Sequence, residues 1–228
     1  MPEETVPDRR LRNRRMVLSK ADWDVQDTPL QDVEERLKLG LRRRIRNALK
    51  TGRKTVLLDS GCGSEAAALK TLAAEFRDAV KSGKLELHGL HLAEDRVFRR
   101  FQASHNGSGV VFHNMDPKKF AELGVRPTII IDNLGSIYHG NAFRLSETFT
   151  RDLFGTLEEG GILAFHLPES KVAFVDGRHV PDAGNWKKEP YYEPRTWDFG
   201  NSKVRLIGYL NKGEPRSERV FHLRKAKN

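Results

Sequence analysis

Two short stretches of this 228-residue chain carry residue types that could hold and transform a small ligand. The first is Asp59-Ser60-Gly61-Cys62-Gly63-Ser64-Glu65, directly after the β-branched and aliphatic run 55–58. Glycine has no Cβ, so a turn built on Gly61 and Gly63 brings bare backbone close to whatever lies over it. Asp59 and Glu65 flank that turn; two carboxylates there repel a docked pyrophosphate and attract a ligand that carries positive charge. The second stretch is 127–140, an apolar run ending in Asp132-Asn133 and followed by Tyr138 and His139. Asp132, Tyr138 and His139 are side chains able to contact an acceptor or take a proton from it. The single cysteine, Cys62, excludes an intramolecular disulfide and any multi-cysteine zinc site, so no metal centre is expected.

The patterning around these stretches predicts the elements that must position them. Run 55–58, the glycine turn and the alanine-rich segment beyond it read as strand, tight turn and helix, the helix spanning 66–81 and ending at Gly83. Segment 85–90 alternates and is a second strand, 94–102 a short helix, and 110–112 a third strand. Asp116 before Pro117 has the form of a helix N-cap with proline in the first turn. Run 127–132 is continuously apolar, as a parallel strand buried on both faces requires. Helix 141–157 and a strand after Gly160-Gly161 follow, and segments 204–210 and 219–223 form a hairpin. Upstream, Thr28-Pro29-Leu30-Gln31 has the form of a capping box, opening one helix from 30 to 50 with Leu30, Val33, Leu37, Leu41, Ile45 and Leu49 on a single stripe. Gly52 closes it. Arg36, Arg42, Arg43, Arg46 and Lys50 fall largely off the stripe, a surface open either to phosphates or to solvent.

The spacing Gly61-x-Gly63-x-x-Ala66 fits a dinucleotide-binding turn, and it equally fits a plain strand-to-helix turn. With its preceding acid, however, Asp59-x-Gly61-x-Gly63 resembles motif I of the class I S-adenosylmethionine-dependent methyltransferases. The order of strands and helices over roughly residues 54–225 is similar to that family as well. The resemblance implies an α/β fold: a doubly wound, seven-stranded, mostly parallel Rossmann-like sheet with an antiparallel last strand, here carrying an N-terminal helical extension. It implies S-adenosylmethionine (SAM) as cofactor, whose sulfonium and ammonium suit carboxylates. Asp59, Gly61, Cys62 and Gly63 would line its methionine end. His91 stands where the family has an acidic ribose ligand, a departure for which Glu94 or Asp95 could substitute. Asp116 would contact the adenine amino group, and Asp132 would occupy the motif IV position beside cofactor and acceptor. Asp132, Tyr138 and His139 are then the candidate catalytic residues.

The implied activity is methyl transfer to an oxygen or nitrogen acceptor. Cytosine C5 chemistry lacks a nucleophile, because Cys62 lies in the turn; the sequence after the fourth strand, Asp132-Asn133-Leu134-Gly135, is not the exocyclic-amine signature; and His166 replaces the lysine of ribose 2′-O enzymes. A methyltransferase-like binding subunit and a nucleotide-cofactor oxidoreductase stay open as alternatives.

Charge is unevenly placed along the chain. Residues 1–53 hold 14 Lys/Arg against 9 Asp/Glu, 54–200 hold 18 against 20, and 201–228 hold 8 against 2. A near-neutral body with basic ends suggests RNA or another anionic partner bound through the terminal segments. Residues 1–27, with the cluster Arg9 to Arg15, read as a flexible basic tail; 28–53 is the basic amphipathic helix; and 54–228 is the Rossmann-like domain. An irregular, aromatic-rich insertion at 168–203 could stack on a flat acceptor or anchor itself. No run of about 18 apolar residues predicts a membrane span, and the first residues lack a secretory apolar stretch, so a reducing cytoplasm is expected.

Overall fold

The structure, a computed structural model, describes residues 28–133, 135, 137, 146–168, 173–175, 196–198, 203–210 and 218–226. Its centre is a seven-stranded sheet in the order β3-β2-β1-β4-β5-β9-β8, built from β1 (Thr55–Asp59), β2 (Leu85–Leu90), β3 (Val110–His113), β4 (Ile129–Asp132), β5 (Ile162–Pro168), β8 (Lys203–Leu210) and β9 (Glu218–Arg224). Neighbours from β3 to β5 pair in parallel, and β9 runs antiparallel to both β5 and β8. The doubly wound sheet with an antiparallel last strand is therefore present, and the expected C-terminal hairpin supplies its edge.

Alternation along the strands sorts the core into two layers. Leu57, Ile129 and Ile131 face one side, with Leu85 and Leu87, against α1 (Leu30–Leu37), α2 (Leu41–Lys50), α3 (Ala67–Glu75) and α5 (Asp95–Ser104). Leu58, Ile130, Leu163 and Phe165 face the other, against Phe120 of α6 (Pro117–Glu122) and Leu153 of α7 (Ser146–Thr156). Every residue of β1 and β4 is buried. Only a strand covered on both faces is buried along its whole length, as these two are at the centre of the sheet.

Four local expectations are corrected. The upstream helix is two helices, α1 and α2, separated at Lys38 and Gly40, which adopt φ of 49° and 63°. Leu37, Leu39 and Leu41 are all essentially inaccessible. Three leucines at alternate positions cannot share one helical face, so the chain leaves the helix at 38–40 to bury all of them. The capping box is not formed: Pro29 is the N-cap, no side chain caps α1, and Gln31 Nε2 instead donates to Glu35 Oε1 at 2.9 Å. The helix after the glycine turn starts at Ala67 and is interrupted at Phe76, so that α4 (Arg77–Lys81) forms a separate turn. The insertion, expected to be irregular, carries a short parallel pair, β6 (Ala173–Val175) and β7 (Thr196–Asp198).

Candidate functional site

In the order β3-β2-β1-β4, the chain winds outward from β1 and returns to pair β4 with β1 on its other side. Loops leaving β1 and β4 therefore head to opposite faces, and it is at the carboxyl ends of such a strand pair that doubly wound sheets place their ligand crevice. Asp59 and Asp132 are the last residues of the two strands.

Asp59 is 4% exposed and accepts a hydrogen bond from the backbone N–H of Gly61 at 3.1 Å. Burial pushes its carboxyl up to about 7, against the lowering effect of the Gly61 bond; the nearby Asp132 pushes it further up. Asp132, fully buried, is more tightly held. Its Oδ2 accepts from the Ser60 hydroxyl and from the Ile137 backbone N–H, the latter at 2.9 Å. Asp132 thus ties the β1 turn to the segment after β4. Between them the backbones touch: a Cβ on Gly61 would lie 2.2 Å from the Gly135 Cα, and one on Gly135 would lie 2.8 Å from Asp132 Oδ2. The first glycine of the turn is required by this interlock.

Adjacent turns continue the stitching across the carboxyl edge. The Cys62 N–H donates to Leu90 O at 3.4 Å, and its side chain is buried in the core, filling the space beside Gly89. Gly63 has φ of 70°, the left-handed region that favours glycine. His91 N–H donates to His113 O at 3.0 Å, and the His91 ring, 3% exposed, stacks on Phe101 at 4.2 Å between centroids. Asn114 bridges the next gap, accepting from Ala93 N and donating to Asp95. Asp116 caps α6 as its sequence suggests, accepting from Lys119 N at 3.0 Å, which leaves its second oxygen available to a ligand.

Glu65 departs from the sequence reading. Its carboxylate is paired with Lys70 at 3.3 Å and is largely exposed, while its carbonyl accepts from His105. The acidic character of the crevice therefore comes from Asp59 and Asp132. The turn is also longer than a dinucleotide fingerprint needs. Ala66, third small residue of that pattern, is left-handed at φ 48°, and α3 begins only after it. Pyrophosphate binding relies on a helix N-terminus at the glycines, and here the helix starts four residues beyond Gly63.

Asn133 is the residue that sequence reasoning passed over. It is 5% exposed, and among the described residues neither Nδ2 nor Oδ1 has a hydrogen-bond partner. A buried amide lacking both partners costs free energy that a ligand would restore. The only sequence signal was its place immediately after the most strand-like run. A buried acid poised near neutrality and a buried amide with no partner among the described residues, at the ends of adjacent strands, fit a ligand group that is cationic and also hydrogen-bonding, as the methionine end of SAM is. Tyr138 and His139 lie outside the described residues.

No protein-family model matches the sequence, and no curated protein matches it. Solved structures do match in shape. The plantazolicin methyltransferase BpumL, in complex with a pentazolic desmethylPZN analog and SAH, superposes with a TM-score of 0.50 at 10% identity, over 97% of this chain and 92% of that one. The N-methyltransferase NodS from Bradyrhizobium japonicum WM9 gives 0.47 at 15% identity, over 95% and 98%. TrmN from Thermus thermophilus gives 0.43 at 17% identity over 79% of this chain, which spans only 48% of that one. The strand order, the antiparallel β9 and the superposition on BpumL define the fold: this chain carries the Rossmann-like methyltransferase fold.

Proposed function

We propose that the chain is a SAM-dependent methyltransferase acting on an oxygen or nitrogen acceptor. The observation that carries this reading is the placement, at the carboxyl ends of the adjacent strands β1 and β4, of buried Asp59 and of Asn133, whose amide has no partner among the described residues. It is supported by a fold shared with a methyltransferase crystallised with SAH.

When bound, SAM supplies an electrophilic methyl group, and the protein's part is to orient donor and acceptor and to exclude water. Asp59 would neutralise the ammonium of the cofactor, and Asn133 would offer it both a donor and an acceptor. Gly63 would allow the turn to approach it closely. Asp116 would present its spare oxygen to the adenine amino group. His91 would accept from a ribose hydroxyl by a ring nitrogen, with Glu94 at the start of α5 an alternative. Asp132 would hold the two turns in register, so its contribution is positional as well as electrostatic. Tyr138 and His139 are proposed to contact the acceptor.

For the acceptor we favour RNA, or another anionic molecule, held by the basic terminal segments. Exposed Arg43 and Arg46 of α2 support this. Arg42 does not, because it is committed to Glu34 and Glu75. A second reading, a binding subunit without turnover, is favoured by the contact between Gly61 and Gly135, which closes the space above the first glycine. The test is transfer of a labelled methyl group from SAM into total RNA and into a small-molecule pool. Label in RNA, with RNA affinity falling steeply with salt and with Arg43→Gln/Arg46→Gln, supports the preferred acceptor. Label in neither pool, with SAM still bound, supports the binding subunit.

A further inference from the structure

One buried titratable side chain with no part in the reading above holds the far end of the glycine turn. His105 is the C-cap of α5 and 5% exposed, its ring packed on Phe101 of that helix and Phe112 of β3 with centroids 4.3 and 5.2 Å away. Both ring nitrogens face backbone carbonyls. Nδ1 lies 2.7 Å from Phe101 O, one turn back along α5, and Nε2 lies 3.0 Å from Glu65 O, 40 residues away in the chain. A carbonyl oxygen only accepts, so each contact needs a proton on the ring, and a neutral imidazole carries one. The imidazolium satisfies both.

The position suits a cation. The last carbonyls of a helix carry the negative end of its dipole, and the His105 N–H turns to Gln102 O in place of Phe101 O, its α-helical acceptor. Among the described residues no ion pair reaches the ring. The titratable and charged groups around it are Glu65, whose carboxylate pairs with Lys70 of α3 at 3.3 Å, His91, which stacks on the same Phe101, and the exposed Arg99 and Arg100 of α5. The Glu65 carbonyl belongs to the peptide plane that joins Glu65 to Ala66. Ala66 holds a left-handed φ of 48°, which a residue with a Cβ rarely adopts, and its own carbonyl accepts from Lys70 N at 2.9 Å at the start of α3. His105 thus fixes the plane from which the end of the turn and the first bond of α3 both depart.

Removal of one proton leaves one N–H for two carbonyls. The geometry of α5 sets Phe101 O, so a bare Nδ1 would face an oxygen lone pair at 2.7 Å with no room to retreat. The Ser104 hydroxyl, 2.9 Å from Nδ1, is also 2.8 Å from Phe101 O and donates there. The proton therefore stays on Nδ1, and the contact given up is the one that spans the fold, to Glu65 O.

We propose that His105 is a positioning residue for the glycine turn: as an imidazolium it clasps the Glu65 carbonyl, and on losing its proton it releases the turn and weakens cofactor binding. The effect on the cofactor rests on the SAM reading above; the clasp itself does not.

The experiment follows the full chain between pH 5 and pH 9 by NMR of nitrogen-labelled histidine and by amide hydrogen exchange, with SAM binding measured by calorimetry at the same pH values. The ring nitrogen shifts report the charge of His105 and which nitrogen keeps the proton. The neutral ring is expected to be protonated on Nδ1, and protection of the Lys70 amide is expected to fall about tenfold with the same midpoint, the scale of one hydrogen bond to a charged group. His105→Gln keeps a donor in the place of Nε2 and does not titrate, so its Lys70 protection stays flat. The ratio of SAM affinities between this variant and the wild type, in which the ionisation of Asp59 cancels, is expected to climb about tenfold through the midpoint. A neutral ring protonated on Nε2, or Lys70 protection indifferent to the His105 titration, overturns the clasp whether or not SAM binds. An affinity ratio constant across the midpoint overturns its link to the cofactor. Protection that follows His105 in a chain that binds no SAM upholds the clasp and refutes the cofactor reading instead.

Discussion

Replacing Asp59 with asparagine separates what this residue costs the fold from what it does for a ligand. In the folded chain its carboxyl is pushed up to about 7 from an ordinary 3.8, chiefly by burial. A raised acid favours the folded state while protonated. That contribution is complete below about pH 3.8, is lost as the pH rises towards 7, and stays lost above it. A shift of about three units at 1.36 kcal/mol each corresponds to a penalty of about 4 kcal/mol at pH 8. Asp59→Asn keeps the shape and the acceptor for the Gly61 N–H and removes the ionisation. Urea unfolding at pH 4 and pH 8 should show equal stabilities at the lower pH. At the higher pH the variant should be more stable by up to about 4 kcal/mol, or about 10 °C in Tm for a chain of this size. SAM affinity should move the other way, rising in the wild type between pH 6 and 8 as Asp59 ionises and falling sharply in the variant. Stability gained where function is lost marks a site kept for binding. A variant less stable than the wild type at pH 8, or a difference independent of pH, would refute the argument.

Three further outcomes follow from contacts elsewhere. Gly61→Ala should destabilise by about 1–3 kcal/mol, because its Cβ would meet the Gly135 Cα at 2.2 Å and neither backbone can yield cheaply; an unchanged unfolding midpoint would mean the two turns do not interlock. Arg42→Ala should cost about 1 kcal/mol by releasing Glu34 and Glu75, which join α1, α2 and α3, and should leave the salt dependence of RNA binding unaltered; a flatter salt dependence would return Arg42 to the phosphate-facing surface. His113, beside His88 at 3.0 Å, is held down to about 4 mainly by burial. A lowered histidine favours the fold above its ordinary value and withdraws that support as pH falls from about 6.5 towards 4, so an NMR titration should find His113 neutral at pH 5.5; a midpoint near 6.5 would contradict its burial.

Much of the fold was legible because its signals are local and physical. Run 127–132 holds three consecutive β-branched isoleucines and reads as a central strand, and Asp116-Pro117 could cap a helix without any tertiary information. What failed was longer in range. The stripe from Leu30 to Leu49 looked continuous because Leu37 and Leu41 are one turn apart, while the break between them accompanies a contact distant in sequence, His222 Nε2 with Leu37 O at 2.7 Å. Glu65 looked like part of the crevice because it is near in sequence, but the long turn carries it to Lys70. Asn133 was inconspicuous for the opposite reason. Its type is ordinary at a strand end, and only its burial with no partner among the described residues gives it meaning.

The measurement that bears most directly on the central claim is a calorimetric titration of the full chain with SAM, SAH and NADH at pH 7.5. The account predicts saturable one-to-one binding of SAM and SAH, weakened strongly by Asp59→Asn and by Asn133→Leu, with no heat of binding from NADH. Binding of NADH in place of the two sulfur compounds, or SAM binding indifferent to both substitutions, would contradict it.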